Sequence, residues 1–217
     1  MAVVSVRPMQ DRDLDAVVAL HREVLDMEFL SRFGPRFLRS YYRAWISTPG
    51  AVALVALEDG VVVGGLLGAS DPGRHVRAMV RDHGVTLALR QVGAALSDPR
   101  LARDLVATRA VRYARGLARL VASRWRQPAN VAPSGPVIGE ITHVLVAPRS
   151  QGRGVGRALV EGALAAIRAT GVRRVELVTP PDLAARHFYE RLGWRLTGEM
   201  ASRSGEPFLR FVYDLDA

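Results

Sequence analysis

The run Gln151-Gly152-Arg153-Gly154-Val155-Gly156 places three glycines and a guanidinium where an apolar β-like stretch gives way to a helical pattern. Backbone N–H groups that open a helix have no intrahelical acceptor and sit at the positive end of the helix dipole, so such a turn can hold a phosphate group. Two other phosphate loops are excluded. A P-loop ends in Gly-Lys-Ser/Thr, and all 30 basic residues of this chain are arginine, with no lysine. A dinucleotide fingerprint needs Gly-x-Gly-x-x-Gly, but the sixth position is Arg157 counting from Gly152 and Leu159 counting from Gly154. With that pattern broken, Glu176 is discounted as a ribose-binding acid. Arg153 and Arg157 add charge where the helix terminus already favours an anion. The absence of cysteine removes thiolate nucleophiles and Cys-based zinc sites. No Ser-His-Asp arrangement assembles, and no metal is expected.

The elements that must position this loop follow from periodicity. Ala2 to Arg7 reads as a strand and about Gln10 to Leu25 as a helix, with Leu14, Val17, Val18 and Leu25 at helical spacing and Asp11, Asp13 and Asp15 near its positive end. A second helix spans about Pro35 to Ile46. Val52 to Leu57 and Val61 to Leu67 are β-rich runs joined by Glu58-Asp59-Gly60, a hairpin signal. From Asp71 to about Gln127 the pattern is helical, and Asp98-Pro99 offers an N-cap with a first-turn proline. Gln127 to Pro136, with three prolines and a glycine, reads as a linker. Ile138 to Val146 is then a strand, Val155 to Thr170 a helix, Arg173 to Thr179 a strand, Asp182 to Leu192 a helix, and Trp194 to Met200 with Phe208 to Tyr213 a closing strand pair. This order implies a mixed α/β sheet covered by helices.

The segment resembles the GCN5-related N-acetyltransferase (GNAT) superfamily, whose Gln/Arg-x-x-Gly-x-Gly/Ala signature is met by Gln151, Gly154 and Gly156. The family's Asn-x-x-Ala-x-x-Phe-Tyr pattern leading to Gly-Phe has its counterpart in Asp182, Ala185, Phe188, Tyr189, Gly193 and Trp194. Two positions depart from it: Asp182 replaces Asn and Trp194 replaces Phe. The resemblance implies an acyl-CoA N-acyltransferase fold, with a mostly antiparallel central sheet flanked by helices; the helical insertion between the third and fourth strands is an unusual amount of extra chain for it. It also implies acetyl-CoA as donor, with the main chain of Val144, Leu145 and Val146 against the thioester and pantetheine. Gln151, Gly152, Arg153, Gly154, Gly156 and Arg157 would hold the pyrophosphate, and Asp182 would stand at a cofactor contact altered by its charge.

Direct attack by an amine meets a proton problem. Keeping a lysine-like amine neutral near pH 7.4 costs about 4 kcal/mol. Glu140 resembles the family's catalytic glutamate and is the candidate base, with Val144 on the same face by strand alternation; a solvent-facing glutamate is the alternative. Tyr189 resembles the general acid for the departing thiolate, and an unperturbed phenol would give up that proton uphill by roughly 2 kcal/mol; the alternative is a packing tyrosine beside Phe188. His143 has the opposite parity to Glu140 unless a bulge intervenes, and His187 projects away from Tyr189, so both read as structural or surface residues.

Composition sets the remaining bounds. With 217 residues, 49% hydrophobic and 24% charged, the chain reads as one substantial domain over 1–217 carrying residues 71–136 as an Arg-rich helical insertion and linker. No apolar run reaches membrane-span length, and a cytoplasmic protein is expected. The net charge is +9, of which residues 71–130 hold 12 Arg against 4 Asp, or +8. Residues 71–127 read as an auxiliary helical insertion that packs Leu105, Leu117 and Trp125 on the core or on a second subunit in a homodimer, with its arginines solvated; the alternatives are an anionic acceptor, an acidic protein partner or an anionic membrane surface met by the Arg-rich face. Nucleic acid is not expected, because aromatics do not interleave with the arginines. The acceptor side would draw on Asp26, Glu28, Tyr41 and Tyr42, and a small-molecule amine or amino sugar is favoured over a protein acceptor. The competing class is a non-catalytic acetyl-CoA-binding sensor or scaffold.

Overall fold

The computed structural model describes residues 4–26, 30–98, 100–101, 103, 136–201 and 207–216. The strands are β1 (Val4–Pro8), β2 (Ala51–Glu58), β3 (Val61–Ala69), β4 (Gly139–Val146), β5 (Arg174–Thr179), β6 (Arg195–Ala201) and β7 (Pro207–Asp214). The described helices are α1 (Leu14–Val24), α2 (Gly34–Ser47), α3 (Pro72–Ser97), α4 (Val155–Arg168) and α5 (Leu183–Arg191). They fall within a few residues of the stretches that periodicity picks out.

The seven strands form one mixed sheet in the order β1-β2-β3-β4-β5-β7-β6. Every neighbouring pair is antiparallel except β4 and β5. β4 and β5 share only three parallel register pairs, Gly139 with Val175, Glu140 with Glu176 and Ile141 with Leu177. Past Ile141, β4 continues to Val146 without β5 beside it. The sheet therefore opens along one seam.

Both faces of β2–β4 are covered. α4 buries Val155, Leu159, Val160, Ala163, Leu164 and Ile167; each large aliphatic side chain removed from water contributes about 2 kcal/mol. It lies so close to the sheet that a Cβ on Gly64 would come within 2.9 Å of both Leu159 and Val155. α1 packs on α2, β3 and β4 from the opposite face, and α2 buries Phe37, Leu38, Tyr42, Ala44 and Trp45.

Between β3 and β4 the described residues begin with a helix, as expected: α3 runs from Pro72 to Ser97. Asp71 caps α3 by accepting from the Arg74 N–H at 2.8 Å. Asp98 then accepts from the N–H groups of Arg100 and Leu101, and Leu101 is buried in the core. Leu105, Leu117, Trp125 and the linker lie outside the described residues, as does Glu28. Among the described residues no helix is long and apolar enough to cross a membrane.

Candidate active site

The loop from Ala147 to Gly154 bridges the open end of β4 to α4. The Ala147 N–H donates to Val63 O at 2.8 Å, a short 3-10 turn follows at Pro148–Ser150, and Gln151 Nε2 reaches Val146 O at 3.4 Å. Gly152 and Gly154 have φ of +72° and +86°, the left-handed region that L side chains rarely adopt. A Cβ on either would find no protein atom within 4 Å, so the cradle is open. Gly154 is the N-cap of α4 and no side chain caps that end, leaving the first-turn N–H groups to an external acceptor. Gly156 serves a different purpose from the one glycine content suggests: a Cβ there would stand 3.2 Å from Phe188 Cζ, so this glycine seats α5 against α4.

Two cations at the loop, Arg153 and Arg157, are engaged with the chain's own carboxylates. Arg153 Nη1 lies 3.5 Å from Glu58 Oε2, and Arg157 pairs with Glu161 at 3.5 Å. Asp182 caps α5, its Oδ1 accepting from the Ala184 N–H at 2.9 Å. That bond commits one carboxylate oxygen to structure.

A β-bulge at the Leu67/Gly68 junction changes the parity of β4. Leu67 pairs with His143 and Gly68 with Ile141, so Thr142 is the extra residue, and its hydroxyl donates to Leu67 O at 3.1 Å. Gly139 faces Ile167 of α4, which puts Ile141 on the α4 face and Glu140 on the α1/α2 face. His143 also lies on the α1/α2 face, its ring 5.8 Å from that of His21 and 6.1 Å from that of Tyr41. The bulge left open by the sequence is present, so Glu140 shares its face with His143; one expectation is corrected, since Val144 lies on the opposite face from Glu140. Leu145, on the α1 side, is buried.

Glu140 is half-buried beside Glu176 in a pocket of about 120 Å³ that Pro72 and Leu177 also line. Burial raises its pKa, the Glu176 charge raises it further, and His143 opposes both. Glu176 is itself ion-paired with Arg210. Toward α1, His21 is fully buried, with Nδ1 hydrogen bonded to the Tyr42 hydroxyl at 2.8 Å. Tyr42 is thus a core residue, whereas Asp26 is exposed.

Tyr189 is buried among Phe188, Trp194 and Phe211, with ring centroids 5.0, 5.9 and 5.7 Å away. Burial pushes its phenol up to about 12, so it stays protonated throughout the neutral range. A larger pocket of about 330 Å³, lined by Pro49, Arg74, Arg77, Ala78 and Arg81, contains no residue of β4 or β5. Among the described residues no group of three or more His, Asp or Glu could hold a metal ion.

The stretch that supplies β4, the loop, α4, β5 and α5 is also where comparison with known proteins is informative. The acetyltransferase (GNAT) family model matches residues 106–194. The mycothiol acetyltransferase of Beutenbergia cavernae is 45% identical over 76 residues, 35% of this chain and 24% of that protein. That of Geodermatophilus obscurus is 38% identical over 78 residues, 35% of this chain and 25% of that protein. The chain spans about a quarter of the length of the curated relatives it matches.

The GNAT fold extends beyond the matched segment. An N-acetyltransferase from Staphylococcus aureus Mu50 superposes with a TM-score of 0.58 at 12% identity, covering 99% of both chains. The yncA protein of Salmonella typhimurium, solved with its cofactor acetyl-CoA, superposes with a TM-score of 0.56 at 16% identity, covering 98% of this chain and 94% of that one. The mixed sheet flanked by helices is the fold expected from sequence, and α3 lies between its third and fourth strands, where the helical insertion is expected.

Proposed function

We propose that the chain is an acetyl-CoA-dependent N-acetyltransferase, a single domain over 1–217 with residues 71–136 as its insertion. The observation that carries this reading is the juxtaposition of the β4–β5 opening with an uncapped α4 N-terminus behind two left-handed glycines. One feature suits an extended pantetheine arm and the other a diphosphate. The donor's main-chain partners are Val144, Leu145 and Val146. Its diphosphate takes the N–H groups from Gly152 through Arg157, while the Gln151 N–H stays on Pro148 O and its side chain flanks the site, with Arg153 and Arg157 exchanging part of their contact with Glu58 and Glu161 for the ligand.

On the acceptor side, Glu140 takes the proton of the attacking amine. Its surroundings hold its pKa above the ordinary carboxylate range, closer to the working pH of a general base. The thioester supplies the acyl group; nitrogen attacks the carbonyl carbon, the carbon–sulfur bond breaks, and the departing thiolate is stabilised by a proton or hydrogen bond from Tyr189. Because the Tyr189 phenol stands near 12, complete transfer to a thiolate of reference pKa about 8.5 is uphill by about 5 kcal/mol. Hydrogen-bond donation is therefore its larger contribution.

The similarity to proteins named mycothiol acetyltransferase supports a small-molecule amine acceptor. A panel of amines and amino sugars assayed for free thiol release from acetyl-CoA, with calorimetry of CoA binding alongside, tests the whole reading. CoA binding with no turnover on any acceptor would favour a sensor or scaffold. No binding at all would overturn the donor site.

A further inference from the structure

Beneath the glycine loop lies a carboxylate that the chemistry above does not use. Glu58 ends β2, and its side chain is only 11% exposed. Its Oε2 accepts from the Ser150 hydroxyl at 3.0 Å and lies 3.5 Å from Arg153 Nη1. Its Oε1 is buried with no hydrogen-bond partner among the described residues, and Ser150 is fully buried. Holding a carboxylate away from water with one oxygen unpartnered is unfavourable, and so is stripping a buried hydroxyl of its acceptor. Neither atom can leave the arrangement cheaply.

Ser150 and Arg153 bracket Gln151 and Gly152, and Gly154 follows directly. The neighbouring contacts Ser150 N to Ala147 O at 2.8 Å and Gln151 N to Pro148 O at 3.3 Å stay within the loop. The Glu58 contacts instead fasten it to a strand two places away in the sheet. A glycine-bearing turn left to itself samples many backbone conformations. This one is pinned at both ends of its first glycine by a single side chain.

We infer that Glu58 is a positioning residue for the donor's diphosphate: through Ser150 and Arg153 it presets the amide cradle before the ligand arrives. It does so by accepting hydrogen bonds rather than by its charge, since a carboxylate under an anion site repels the anion. The inference rests on the donor-site reading above.

Calorimetry of CoA binding to Glu58→Ala, Glu58→Gln and Ser150→Ala tests it, with S-acetylpantetheine, which lacks the diphosphate, followed in parallel by ligand-observed NMR. Glu58→Ala raises the Kd for CoA roughly tenfold, the size expected for losing a hydrogen bond to a charged group. Glu58→Gln, whose amide oxygen still accepts from Ser150, binds CoA at least as tightly as the wild type. None of the three variants shifts S-acetylpantetheine affinity by more than about twofold. Should Glu58→Ala not fold, Ser150→Ala removes the same tie from the loop side and carries the same expectation. Wild-type binding with Glu58→Ala and Ser150→Ala unchanged overturns the inference alone, as does equal weakening of both ligands, which marks general loosening. A wild type that ignores CoA overturns the donor site itself.

Discussion

Glu140 and His143 occupy the same face of β4 although three positions separate them, because Thr142 inserts an extra residue into the strand. The carboxylate therefore has an imidazole on one side and Glu176 on the other, and these two push its pKa in opposite directions.

Replacing Glu140 by Gln should lower kcat on the order of a hundredfold if the carboxylate is the base. Wild-type activity should rise with pH through a value above the ordinary carboxylate range. His143→Gln should move that limb further up, since it removes the influence that lowers the Glu140 pKa. Profiles of kcat/KM against pH for the three proteins check this; an unmoved limb in His143→Gln would separate the two residues.

The same raised pKa has a consequence for stability. The folded chain binds the Glu140 proton more tightly than the unfolded chain does, so the stabilisation present below the unfolded pKa is lost as pH rises through the folded one. Glu140→Gln should therefore melt above the wild type at pH 7 while turning over more slowly. Thermal melts at pH 4 and pH 7 check it, with the gap expected only at the higher pH.

Tyr189→Phe should reduce kcat about tenfold, the loss of a hydrogen bond to developing charge, with CoA affinity within about twofold. Because burial holds the phenol near 12, the wild-type profile should show no decline between pH 8 and 10 from its ionisation. A basic limb present in wild type and absent in Tyr189→Phe would contradict the burial.

Gly156→Ala sets a helix-propensity gain of about 1 kcal/mol against the strain of pushing back the Phe188 ring, whose Cζ would lie 3.2 Å from the new Cβ, so net stability should change little while the ring shifts. The displaced ring also touches Tyr189, so turnover should fall further than the active fraction alone explains. Denaturant melts and single-turnover rates on the folded fraction test the two effects separately.

Asp13 is 4% exposed and binds Arg7 through both carboxylate oxygens at 2.7 Å. The Arg7 hydrogen bonds hold its pKa below the usual range. Its stabilising contribution is complete above the unfolded carboxylate pKa and is lost as pH falls through the lower folded value. Asp13→Ala should cost about 2 kcal/mol at pH 7 and progressively less in strong acid, measured by urea melts across that span.

The strands and helices were legible because α1, α2 and α4 carry apolar stripes at helical spacing and the strands are dense in valine and leucine. The turn that opens α4 was legible from its glycines, two of which take left-handed backbone. The bulge was not: Glu140-Ile141-Thr142-His143 reads as an ordinary alternating strand, and the extra residue shows only once β3 is beside it. Glu58 was hidden for a similar reason. Next to Asp59-Gly60 it looks like a polar hairpin residue, and only the loop arriving from 92 positions later buries it. Gly156 was legible as part of the glycine pattern, but its close approach to Phe188 was not, because that contact depends on where α5 is placed.

The three parallel register pairs joining β4 to β5 divide the molecule mechanically. On one side are four strands clamped between helices; on the other is a three-stranded unit whose backbone pairing to them is this short stitch, with Val175, Leu177 and Phe211 in the shared core. Anything that wedges into the gap and borrows the spare peptide groups of Thr142 to Val146 completes the fabric, so cargo should stiffen the protein itself. Slower amide exchange along both lips of the gap, spreading into β7, would be its signature.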